Sequence, residues 1–170
     1  MPVHALVNQL RFSRAEFSRC LSGVDDQDAV KRLEPMNCIS WIIGHLANQE
    51  NRYWVEMAQG VTLPQVSGLN DLVGYGRPAS TPPLSDMRFI WEIVTRTADE
   101  YLDTLTSQSL LDHLEVDGVP NKESIGTMLY RNIYHYWFHT GEAHAIRQAL
   151  GHTNLPQFEG NISSAVYRPE

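Results

Sequence analysis

Four stretches of this chain place apolar residues three to four apart, and Pro and Gly collect between those stretches. The first runs from about Val3 to Leu21, through Leu6, Val7, Leu10 and Phe17, and Asp25 to Leu33 adds a short helical turn before Pro35. The second starts where Asn37 or Ser40 can cap free amide donors and closes at Gly60, with Ile39, Ile43, Leu46, Tyr53 and Met57 as its stripe. The third spans Leu84 to Leu105, and the fourth runs from about Ser124 to Leu150 with Gly151 as its stop. Between the second and third lies a long connection, 61–83, that holds Pro64, Gly68, Gly74, Gly76, Pro78, Pro82 and Pro83. Connections of that length are often functional, and this one can roof a pocket. No convincing strand pair interrupts the pattern, so an all-α four-helix bundle follows, and bundle cores are where metal sites are built from facing helices.

At 170 residues the expectation is one domain over 1–170, with an irregular tail from about 151. A net charge of -7, with its 13 Lys and Arg residues scattered, argues against nucleic acid and anionic membranes as partners. Cys20 and Cys38 have no CxxC or finger spacing, so both read as buried thiols in a reducing compartment. With no apolar leader and no run of about 18 apolar residues, the expected location is cytoplasmic.

Four of the seven histidines fall within Tyr134–His152. At ~100° per residue, His135 and His139 lie ~40° apart on one helical face and can reach one ion, whereas His144 lies ~180° from His135. His152 follows Gly151 and reads as solvent-exposed, and His4 and His113 read as ordinary surface histidines. The stretch "HYWFH" lacks the glutamate of a zincin. A third histidine, His45, follows Gly44, whose missing side chain allows a neighbouring helix, loop or ligand close to the second helix. Three neutral imidazoles from two helices suit Zn or Ni and leave positions open. The competing reading is core histidines hydrogen-bonded to a Tyr or Gln.

The stretches "SWIIGHLANQENRYW", "HYWFHTGEAHAIRQALGH" and "LPQFEG" resemble the DinB-like (DinB/YfiT-like) superfamily of metalloenzymes, and the resemblance covers nearly the whole chain. It implies an up-down-down-up four-helix bundle, a divalent metal (nickel or zinc) held by His45, His135 and His139, and a homodimer. Many members carry His-Arg-Gly-Gln after the last ligand, where this chain has His139-Thr140-Gly141-Glu142. Glu142 lies ~300° on from His139, and is a fourth ligand, an acceptor for an imidazole N–H, a catalytic base, or simply a partner for Arg147 or a surface charge. Gln49 and Arg52 are candidates to line the same cleft, Arg52 to hold a carboxylate of a thiol cofactor or substrate. Tyr136 and Trp137 read as packing residues rather than stacking platforms.

Enzymatic relatives in this superfamily include transferases and isomerases that depend on a low-molecular-weight thiol. The resemblance therefore implies a metal-dependent thiol S-transferase acting on a small molecule, or a metal-assisted hydrolase with Glu142 as base. The alternative is a non-catalytic metal- or ligand-binding stress-response bundle.

Overall fold

The structure, a computed structural model, describes residues 3–157 and 159–167. It is mostly helical: α1 (Ala5–Cys20), α2 (Asp26–Ala29), α3 (Ile39–Glu50), α4 (Leu69–Val73), α5 (Leu84–Leu102) and α6 (Ile125–Ala149). His4 caps α1 by accepting the Leu6 N–H at its Nδ1, and Ser124 caps α6 by accepting from Thr127. α3 starts at Ile39 with Cys38 in the cap position and no side-chain cap bond, so neither Asn37 nor Ser40 performs that role. Gly151, at φ +83°, ends α6 as expected: its N–H bonds to Gln148 and that of His152 to Arg147, satisfying carbonyls the helix leaves free.

α1 packs on α6, and α3 packs on both α5 and α6. The core between them is made of residues such as Leu10 and Phe17, Ile42 and Leu46, Val94 and Leu102, Leu129 and Ile146. Within it sits a buried polar chain. Arg14 pairs with Glu50, which also accepts the Tyr136 hydroxyl at 2.6 Å, and Tyr136 in turn accepts from Trp91 Nε1 at 2.7 Å. Every member has a partner, the condition under which buried polar groups are tolerated.

The second helix does not end at Glu50. It continues as a π-helix over Asn51–Met57, with i→i+5 bonding that retards the helical face by about one residue. The predicted stripe through Tyr53 and Met57 is therefore displaced, and Trp54 and Val55 are the residues fully buried there. The 61–83 connection is also less irregular than expected: it holds a 3₁₀ turn, Pro64–Val66, and α4, which docks on α3. A Cβ on Gly44 would clash with Met87 Sδ of α5 and stand 3.1 Å from Val73 Cγ1 of α4, so the absent side chain permits both approaches.

One small correction concerns the all-α expectation. Strands β1 (Glu115–Val116) and β2 (Val119–Pro120) pair antiparallel around Asp117-Gly118, both at positive φ. Asp-Gly is a favoured two-residue hairpin turn, and two-residue strands are too short to register as alternation. The tail is tied back to α1, where Gln157 O accepts from Arg19 and Glu16 from the Gly160 N–H. Phe158 of the "LPQFEG" stretch lies outside the described residues. Among the described residues no helix is long and apolar enough to cross a membrane.

Candidate metal centre

α3 supplies His45 and α6 supplies His135 and His139, and one ring nitrogen from each lies within 4.8 Å of the others. This trio could hold a metal ion. The pair on α6 is a consequence of i,i+4 spacing, while His45 joins it because α3 packs against α6.

The far side of each ring is committed to an acceptor. His45 Nδ1–H donates to the Val73 carbonyl of α4 at 2.8 Å, His135 Nδ1–H to Gln49 Oε1 at 2.9 Å, and His139 Nδ1–H to Glu142 Oε2 at 2.6 Å. Each bond fixes the tautomer, leaving an Nε2 lone pair on every ring. The Nε2 atoms of His135 and His139 stand 3.0 Å apart. Two lone pairs at that distance repel, whereas two nitrogens that share an ion at 2.0–2.1 Å each stand roughly 3 Å apart. The donor set thus fits a first-row divalent cation.

Burial, followed by the neighbouring His139 and His45 rings and Arg131, pushes the His135 imidazole down to about 3. Burial also lowers that of His45, against the opposing bond to Val73. Both rings are neutral at physiological pH, the form that ligates. Trp41 stacks on His45 with ring centroids 4.5 Å apart and 14° between planes, which limits rotation of that imidazole. Gln49 is itself held, since Asn132 donates to its Oε1 at 3.1 Å and accepts from Trp54 Nε1 at 2.7 Å.

A family model described as mycothiol-S-transferase matches residues 5–151, from the start of α1 to the Gly151 stop. The chain belongs to the mycothiol-S-transferase family. That family lies within the DinB/YfiT-like superfamily, and the matched span takes in all three histidines with Gln49, Arg52 and Glu142. No curated protein matches the chain.

In this mycothiol-S-transferase family chain, His45 and His135 open onto a cavity of about 740 Å³, within the range for small-molecule sites. Gln49 and Arg52 line it, as does Asn70 of α4, so the 61–83 connection forms one of its sides. Arg52 is exposed at its rim. Glu142 is not among the lining residues; its carboxylate faces His139 instead. Arg147, the other partner weighed for Glu142, bonds to the Cys20 carbonyl and to His152 Nδ1.

His152 corrects an expectation of exposure. Its side chain is 16% exposed and bonds Asp28 Oδ2 at 2.8 Å, joining the end of α6 to α2. His144 stays apart from the trio, beside Cys20 and Trp137. Tyr136 and Trp137 are packing residues, as expected, but the cavity is lined by Tyr53 and Tyr75 and, from α6, by Tyr130, Tyr134 and Phe138. The spacing of four among the last three was a legible signal, a second stripe on α6 beside the histidine face.

Proposed function

We propose that this chain is a metal-dependent S-transferase that joins a low-molecular-weight thiol of the mycothiol type to an electrophilic small molecule. The observation that carries the proposal is the set of three imidazoles, each with Nδ1–H committed to an acceptor and Nε2 turned toward the others, beside an open cavity. His45, His135 and His139 hold the ion, nickel or zinc. A divalent cation there lowers the pKa of a bound thiol and so supplies a thiolate nucleophile at neutral pH.

The protein's own part is to position. The Val73 carbonyl, Gln49 and Glu142 hold the three tautomers, and Arg52 at the rim pairs with a carboxylate of the thiol or its partner. Glu142 is assigned to act through His139, a role supported by its Oε2 accepting the Nδ1–H and by its absence from the cavity lining.

The same reading takes α1, α3, α5 and α6 as the four helices of an up-down-down-up bundle, a single domain over the whole chain. The packing of α1 on α6 and of α3 on α5 and α6 supports it. A homodimer and a reducing, cytoplasmic setting complete the proposal, the latter supported by the free and buried Cys20 and Cys38.

Elemental analysis of untagged protein purified without metal resins is the test. About one first-row ion per chain in the wild type, lost in His135→Ala/His139→Ala together with thiol conjugation, is the expected result. No metal in the wild type, and none taken up on titration with Zn²⁺ or Ni²⁺, would overturn it.

A further inference from the structure

The cavity above His45 and His135 has two walls, and its exposed stripe of rings runs along α6. α3, the π-helix that continues it and α4 present Asn48, Arg52 and Asn70, with the Tyr53 and Tyr75 rings on the same side. α6 presents Thr127 and Arg131 and, beside them, Tyr130, Tyr134 and Phe138, which drift only ~40° per step of four and so form one stripe. These rings are 51%, 63% and 70% exposed, although large aromatics contribute most when buried. Tyr130 and Tyr134 already lie nearly parallel, with centroids 5.9 Å apart and 21° between planes. Phe138 meets His139 edge-on at 5.1 Å, which puts the end of the stripe beside the histidine trio. A contiguous exposed apolar strip inside a concave site is the mark of a ligand surface, and flat rings favour flat ligands.

We propose that this stripe is the subsite for the electrophile, and that the electrophile is a planar aryl-conjugated molecule such as an aryl enone. The inference rests on the S-transferase reading for the reaction but not for the binding. In the reaction the thiol gives its proton to solvent, sulfur bonds to the β-carbon of the enone, the alkene π pair moves to the α-carbon, and that carbon takes a proton from water. All atoms of thiol and enone are kept in the adduct, and no further reactant is needed.

The test measures binding without turnover, by ligand-observed NMR titration of metal-loaded protein with 4-phenylbutan-2-one against pentan-2-one. These are unreactive ketones that differ in the ring. The expected result is tighter binding of the phenyl ketone, a preference that falls about 3- to 10-fold in Tyr134→Leu and returns in Tyr134→Phe. Metal content by elemental analysis stays at the wild-type level in both variants. Equal binding of the two ketones, or a preference unmoved by Tyr134→Leu, overturns the proposal. So does a change from dimer to monomer by light scattering in Tyr134→Leu with ketone binding intact, which would make the stripe a surface between copies. Phenyl preference that survives in metal-free His135→Ala supports the stripe even where the transferase reading fails. Thiol transfer with no ring preference sinks the stripe alone.

Discussion

Replacing Glu142 separates a carboxylate that acts through His139 from one that binds the ion itself. In the structure Glu142 Oε2 accepts the His139 Nδ1–H at 2.6 Å, and its side chain is 25% exposed. Loss of such an acceptor typically costs 10- to 100-fold in metal affinity, or about 1.4 to 2.7 kcal/mol. Partial exposure screens the charge, so Glu142→Leu is expected toward the lower end, roughly 10- to 30-fold. Glu142→Gln keeps an oxygen that can accept the same hydrogen but loses the charge. Charge-assisted bonds are about twice as strong as neutral ones, so the amide should retain about half the free energy and weaken binding only ~3- to 6-fold. The assay is competition for Zn²⁺ with a chromophoric chelator at pH 7.5, with circular dichroism to confirm the fold. Binding within twofold of wild type in Glu142→Leu would refute the acceptor role. A loss beyond about 1,000-fold in both variants would refute it from the other side, because only a direct ligand costs that much.

Removing Arg14 leaves Glu50 buried with the Tyr136 hydroxyl as its remaining side-chain partner among the described residues, so Arg14→Met is expected to destabilise by about 3–5 kcal/mol in urea unfolding, and Arg14→Met/Glu50→Met by clearly less. An equal loss in both would show that the ion pair does not set the cost. In metal-free protein the His135 imidazole, lowered to about 3 in the fold, stays neutral while the unfolded chain takes up a proton below about 6.5. Stability is therefore full above pH 6.5 and falls as pH drops from there toward 3, by about 1 kcal/mol at pH 5 once solvent screening is allowed for. A urea midpoint unchanged between pH 8 and pH 5, or one that falls as much in His135→Leu, would count against this.

What the chain's own order determined is what helical rotation decides locally. A fixed angle per residue puts His135 and His139 on one face and sends His144 away, and an αL-tolerant Gly151 ends their helix. Gly44 could be read in the same way, as a position without room for a side chain. Glu142 is legible as a near neighbour of His139, but rotation alone leaves ligand, acceptor, base, Arg147 partner and surface charge all open. The structure shows its oxygen on Nδ1.

The rest depended on elements distant in the chain. The acceptor for His45 is a backbone carbonyl 28 residues later, at the end of a short helix inside what reads as a loop, and Gln49 reaches His135 only because α3 lies against α6. The π-turn after Glu50 is equally invisible to a fixed period, since packing of Trp54 and Val55 selects it over the α register that the Tyr53 and Met57 spacing suggests. Periodicity reports which face of a helix is apolar. Which carbonyl, amide or ring meets that face is set by how helices pack, and that is a property of the tertiary structure alone.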